Sequence, residues 1–273
     1  MVKEDIREKQ SLELFKKWLE KHPYISYNKN DNIDDLLLSF LRVRNFSMDK
    51  AYESFEFTVK FIKSHPEYYE NVTKDDFDFM RQPSTPVILM KNRDKEGRAI
   101  YIYKAKDFDY SERFVRGTYL VPHLTIYEKE TQINGFIAIF DFRDLNFKKF
   151  SKIPIHTIHD FFKFSKYCAL KPKQINLIGM PSFMKPIYEV GKSFTTAKIL
   201  DRVNLLGSVD ELAKVMDVSI LPKEYGGSSN ELMEYEAFEA GVEFANLFNK
   251  FNVNFRQIQE FEGVGSFRKL EID

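Results

Sequence analysis

The run "GFIAIFD" at residues 135–141 is short, rich in branched and aromatic side chains, and closes on a charge. Those traits mark a β-strand. Three further runs share them: "AIYIYKA" (99–105), "INLIG" (175–179) and "RVNLLG" (202–207), each ending against a charge or a glycine. Helical stretches separate the runs. Residues 113–132 are long enough for one helix and 155–169 for another, with Ile155, Ile158, Phe161, Phe162 and Ser165 broadly periodic. Strands interleaved with helices argue for an α/β fold with a mostly parallel β-sheet.

Outward from this block the character changes. Residues 11–80 read as helical: Leu12, Phe15, Trp18 and Leu19 fall on one face, and Leu36, Leu37, Phe40 and Leu41 repeat the pattern. Ser47 is placed to cap a third helix that buries Met48, Ala51, Tyr52, Phe55, Val59 and Ile62, and His65-Pro66 ends it. From residue 228 a helix rich in Glu and Phe leads to an exposed tail, "FRKLEID". The expected organisation is therefore an all-helical unit over 1–80, the α/β domain over 81–240, and a C-terminal helix and tail over 241–273.

Composition narrows the function. The 41 basic and 41 acidic residues cancel, so nothing in the bulk charge points to nucleic acid. The chain carries 27 Phe and 14 Tyr; most serve the core, and some are available to line a cavity for an apolar ligand. A single cysteine, Cys168, allows no internal disulfide and fits a reducing compartment, where it reads as structural. The charged start "MVKEDIREKQ" is unlike a signal peptide, and no apolar run approaches the ~20 residues that cross a bilayer. The expectation is a cytoplasmic monomer that touches membranes only peripherally.

Motifs for catalysis do not assemble. G-x-S-x-G and G-x-x-x-x-G-K-[ST] are both missing, and "GVGS" (263–266) has no strand before it. His156 and His159 in "HTIHD" share a helix face, but no further ligand accompanies them, so polar positions on a half-buried helix are the economical reading. Asp141 and Asp144 close a strand and read as turn-capping residues. The chain is expected not to be an enzyme, and no cofactor or metal is implied.

One further stretch, "MPSFMKPIYEVGKSF" (180–194), combines an apolar stripe with two helix weaknesses. Phe183, Met184, Ile187, Tyr188 and Phe194 form the stripe, while Lys185, Glu189 and Lys192 face away. Pro186 is best tolerated in a first turn, and Gly191 costs ~1 kcal/mol relative to alanine inside a helix.

In "DDLLLSFLRVRNFSMDKAYESF", the series Leu37, Phe40, Leu41, Arg42, Val43, Arg44, Asn45, Phe46 resembles the L-x-x-F-L-R-A-R-x-F pattern of the CRAL-TRIO lipid-binding family. Downstream "ETQINGF", "IAIFD", "INLIGMP" and "LPKEYGG" resemble that family's later blocks in the right order, so the likeness spans roughly 12–240 and is nearest to the animal branch that carries tocopherol and retinaldehyde. The resemblance implies a sheet forming the floor of an apolar pocket, with 180–194 as its mobile gate helix. It implies a ligand lining of Val115, Thr118, Pro122, Phe136, Phe140, Phe161, Phe164, Ile175, Phe183, Ile187 and Phe194. It also implies a phosphoinositide head-group site at Lys171, Lys173, Lys198 and Arg202.

The chain departs from the family in places. Thr118 and Pro122 stand where tocopherol pockets place two serines, Lys173 replaces an arginine, and Asp144 replaces the glycine of a D-x-x-G turn. The expected activity is binding and transfer of a terpenoid, retinoid or tocopherol-like molecule, released at phosphoinositide-containing membranes. The alternatives are phosphatidylinositol or phospholipid transfer, and a regulatory module that reads membranes without ferrying anything.

Overall fold

The computed structural model describes residues 2–81, 85–107, 112–121, 123–152, 154–167, 170–193, 195–229, 231–232 and 235–259. Its centre is a five-stranded sheet of β2 (Val87–Leu89), β3 (Ala99–Lys104), β4 (Phe136–Asp141), β5 (Pro172–Ile178) and β6 (Val203–Leu206), in that spatial order. Strands β3 to β6 run parallel and β2 adds an antiparallel edge. All four strands expected from the sequence form; β2, three residues long, carries too short a pattern to be seen. A second, two-stranded sheet pairs β1 (Ile25–Tyr27) with β7 (Phe251–Val253) antiparallel, tying the C-terminal segment to the N-terminal helices.

Those helices are α1 (Val2–Glu20), α2 (Asp34–Val43) and α3 (Met48–Ser64). They enclose Phe15, Leu36, Leu37, Phe40, Leu41 and Phe55, each at most 1% exposed. Ser47 occupies the cap position of α3, and its carbonyl accepts from the Ala51 amide at 2.9 Å, but its hydroxyl makes no capping bond. Pro66 ends α3 and opens the short α4 (Pro66–Tyr69) at its first position, where a missing N–H costs nothing. The motif "LRVRNF" is the exit of α2: Asn45 (φ 50°) and Phe46 (φ 60°) turn left-handed, and the Phe46 amide returns to the Leu41 carbonyl at 2.7 Å. Buried Arg42 then fastens three elements, donating to Glu8 of α1 (2.8 and 2.9 Å) and to the Gln132 side chain at 2.8 Å.

Between β3 and β4 the sequence favours one helix over 113–132, but the chain forms three: α5 (Glu112–Leu120), α6 (His123–Ile126) and α7 (Lys129–Asn134). A proline in this stretch, Pro122, lacks the amide a continuous helix needs. The remaining helices are α8 (Phe147–Phe150), α9 (Ile155–Tyr167), α10 (Lys185–Ser193), α11 (Ala197–Leu200) and α12 (Tyr235–Asn246). His123, 2% exposed, borders a pocket with room for about one water molecule beside Ser39, Thr58 and Phe248. Burial in these apolar surroundings lowers its imidazole to about 4. Asp144 adopts φ 60°, the left-handed conformation that explains why a glycine serves at this turn.

The two faces of the main sheet are unlike. On one, Ile102, Ile139 and Asn176 pair across β3, β4 and β5 and are fully buried beneath Leu212, Leu221 and Tyr225. The register places Tyr103, Phe140, Leu177 and Leu205 in a second row across four strands on the opposite face. Tyr103, Phe140 and Leu177 there are only half-buried, and Leu205 is 54% exposed. A parallel sheet ordinarily has both faces covered. Here one is sealed, while the other is covered by the main core at Val87, Leu89, Ala99 and Tyr101 and stays partly accessible only from Tyr103 and Phe140 to Leu205.

Candidate functional site

The accessible face is aromatic and aliphatic. Tyr103 stacks on Phe140 with ring centroids 4.8 Å apart, and Tyr101 lies against Phe136 at 5.1 Å. A second row, Tyr101, Ala138, Ile175 and Val203, lies on the same side, with Tyr101 and Ala138 buried and Ile175 and Val203 half-buried. Phe136, Phe140 and Ile175 therefore lie together on one half-buried face. The Tyr103 phenol brings a polar group to it, and burial pushes its ionisation upward, so it stays a neutral donor.

Residues 181–193 follow β5 as a 3₁₀ turn (Ser182–Met184) running into α10. Pro186 falls in the first turn of α10 and Gly191 in its last. Phe183, Met184, Ile187 and Tyr188 are half-buried, whereas Lys185, Glu189 and Val190 are exposed, Val190 at 59%. Glu189 and Lys192 pair at 2.5 Å on the outer side, and Lys192 lies over the Tyr188 ring. Phe183 contacts Phe147 and Phe150 of α8, with centroids 5.5 and 5.6 Å apart. Phe147 is itself 63% exposed, so an apolar edge lies open to solvent where α8 meets residues 181–193.

The other candidate lining residues divide. Val115 is half-buried against the main core. Phe164 is sealed within that core among Phe61, Tyr69, Tyr119 and His123, on the side of α9 that meets α3. Pro122 and Phe194, and the side chains of Thr118 and Phe161, lie outside the described residues.

The basic residues converge at the opposite end of the strands from Asp141. Lys171 and Lys173 flank the start of β5, Lys198 lies on α11, and Arg202 immediately precedes β6. Desolvation, followed by the charges of Lys173, Arg202 and Lys198, pushes the Lys171 ammonium down to about 8. Lys171 nonetheless has acceptors at the C-terminal end of α7: its Nζ donates to the Ile133 carbonyl at 2.7 Å and the Gln132 carbonyl at 3.4 Å. Arg202 donates to the Pro172 carbonyl, which fixes it across β5. Four cations are thus gathered here, and no carboxylate accepts from Lys171 among the described residues, which makes the cluster a candidate anion site.

Other singled-out motifs resolve as structure. Asp141 caps the turn after β4, accepting from the Arg143 amide at 3.1 Å and side chain at 2.6 and 2.9 Å, and from the Tyr225 hydroxyl at 2.9 Å. "PKEYGG" thus clamps the end of β4: Tyr225 is fully buried, Gly226 has φ 87°, and a Cβ at Gly227 would stand 2.0 Å from the Leu221 carbonyl. His159 is exposed beside Asp160, and no three-residue metal-ligating cluster occurs among the described residues. No helix among them is long and apolar enough to cross a membrane.

Sequence reasoning missed Tyr103, Leu177 and Leu205 as floor residues. Alternation in "AIYIYKA", "INLIG" and "RVNLLG" could have found them once a parallel pairing of these strands with β4 and one another was assumed. Asn45, whose side chain accepts from Lys171 at 3.0 Å, had no signal, being 126 positions away in sequence.

Comparison with known proteins agrees with this geometry. The family described as "CRAL/TRIO domain" matches residues 84–227. The chain is 27% identical over 220 residues to clavesin-1 of Xenopus laevis, covering 76% of this chain and 64% of that protein. It is 26% identical over 226 residues to the alpha-tocopherol transfer protein-like protein of Mus musculus (78% and 63%). Its counterpart in Homo sapiens is 27% identical over 218 residues (75% and 62%). The chain thus spans somewhat under two thirds of the length of these relatives. Among solved structures, Sfh5 superposes with a TM-score of 0.50 at 15% identity, covering 87% of this chain and 95% of that one, a likeness of fold.

Proposed function

This chain belongs to the CRAL/TRIO family, and from that premise we propose that it binds one small apolar molecule on the open sheet face and delivers it to phosphoinositide-bearing membranes. The observation that carries the proposal is the asymmetry of the sheet. One face is sealed by its own core, while half-buried Tyr103, Phe140 and Leu177 and exposed Leu205 present an apolar row from β3 to the edge strand β6. Covering such a row with a ligand gains about 25 cal/mol per Å2 of apolar surface, without any covalent step. Tyr103 offers one directed hydrogen bond, which suits a terpenoid, retinoid or tocopherol-like molecule with a single polar end. A phospholipid would require more polar partners than this face displays.

The 180–194 segment acts as the gate. Its outer side carries Val190 and, across Phe183, the exposed Phe147, so a bilayer can take up this rim while the basic cluster holds an anionic head group. Membrane contact then favours the open gate because only the open state makes both contacts fully.

The test is a bulky substitution on the floor. Ile175→Trp is expected to leave the fold intact, as judged by thermal unfolding, and to abolish binding of labelled apolar compounds that the unaltered chain retains. Equal binding by both chains would remove the pocket assignment.

A further inference from the structure

Lys171 does more than sit in the basic cluster: it reaches back to the turn between α2 and α3. An ammonium has three donors, and those of Lys171 face three acceptors: Asn45 Oδ1 at 3.0 Å, the Ile133 carbonyl at 2.7 Å and the Gln132 carbonyl at 3.4 Å. A phosphate oxygen can bond to Lys171 only by displacing one of them. The two carbonyls are fixed at the end of α7, where the Gly135 amide closes the last turn onto Thr131 at 2.8 Å. Asn45 offers a side chain, which one rotation removes.

The surroundings favour that exchange. None of the three acceptors carries a net charge, whereas a phosphate does, and hydrogen bonds to an ionised acceptor are roughly twice as strong. Lys173, Lys198 and Arg202 lie close enough to oppose the Lys171 charge, and a bound anion would offset all four. Asn45 is held by the N-terminal helices. It is the first of two left-handed residues, and its carbonyl accepts from Arg7 Nη2 at 3.0 Å. The Arg7 guanidinium in turn lies 4.5 Å over the Phe46 ring. Arg7, Asn45 and Lys171 thus form a continuous chain of contacts from α1 to the start of β5.

We infer that Asn45 is an internal competitor for the head group: it restrains Lys171 until an anionic phosphate, held by Lys173, Lys198 and Arg202, takes Lys171 from it and releases this contact between the N-terminal helices and the sheet. The inference rests on reading the basic cluster as a head-group site. It adds a residue from outside the matched domain, and a coupling between head-group binding and the helical subdomain.

The experiment measures sedimentation with phosphatidylcholine vesicles, with and without phosphatidylinositol bisphosphate. Asn45→Gly keeps the left-handed backbone and removes the acceptor, so head-group-dependent binding is expected to tighten about five-fold. Asn45→Asp keeps the size and gives Lys171 a charged internal partner, so binding is expected to weaken about ten-fold. Both effects are expected to vanish in a Lys171→Met background, which separates a direct contact from a general change of field. If the glycine variant fails to fold, the aspartate variant and its double mutant decide alone. Should Lys198→Ala weaken binding while both Asn45 variants behave as the unaltered chain, the head-group reading stands and the competitor role of Asn45 is wrong. Persistence of the Asn45→Asp effect in the Lys171→Met background also overturns it. If the unaltered chain does not distinguish the two vesicles, the head-group reading itself fails and this inference with it.

Discussion

Ile139 and Phe140 are adjacent on β4, yet they face opposite sides of the sheet and carry different burdens. Ile139 is fully buried beneath the sealed face, so Ile139→Ala should lower unfolding free energy by about 2–5 kcal/mol and leave ligand affinity nearly unchanged. Phe140, half-buried on the accessible face, should show the reverse: a smaller stability loss in denaturant titration and a large loss of ligand affinity. Lys171 makes a second prediction at this scale. Its ammonium is lowered from 10.5 to about 8, so it loses its charge in the folded chain while an unfolded chain would still hold the proton. Vesicle binding that depends on the head group should therefore fall as pH rises through about 8. Over the window from about 8 to 10.5 the unfolded state binds more protons, so the Lys171 contribution to stability rises with pH. Calorimetry at about pH 8 in buffers of different ionisation enthalpy should detect proton uptake on binding, because a phosphate raises the Lys171 pKa.

At the scale of elements, the central strands were legible because each is a compact apolar run bounded by a charge or glycine. The two-stranded sheet and β2 were not, since three residues carry no pattern and their pairing depends on partners far along the chain, such as Ile25 with Val253. The helix expected over 113–132 rested on length alone, and Pro122 supplies a local reason for the first of its two breaks. The candidate site was half legible. Four cations spread over 32 positions could be grouped through family likeness, but the internal acceptors of Lys171 come from tertiary folding alone. The 180–194 segment was legible as an amphipathic helix with weak ends, though not the neighbour that packs on its Phe183. That neighbour, α8, supplies Phe147, and with Val190 it makes the element-level prediction. Phe147→Ser together with Val190→Ser should weaken vesicle binding by ten-fold or more while leaving thermal stability within about 1 kcal/mol, because both residues are more exposed than buried. Unchanged vesicle binding would show that this rim does not meet the bilayer.

Across the whole molecule, one core joins the N-terminal helices to one face of the sheet and a second closes the other face. Arg42, Glu8 and Gln132 fasten α1 and α2 to α7, and β1 with β7 closes the C-terminal segment onto the same helices. The helical unit is therefore fastened to the α/β part instead of standing apart from it, and the contact from Asn45 to Lys171 links it to the basic cluster. The central claim is that the accessible sheet face holds one apolar molecule. Native mass spectrometry of the chain purified from its source, followed by solvent extraction, tests this most directly. The account predicts one non-covalently bound apolar molecule per chain, absent from the Ile175→Trp variant. A chain that carries no such molecule, and takes up none from a library of terpenoids, retinoids and tocopherols, would contradict it.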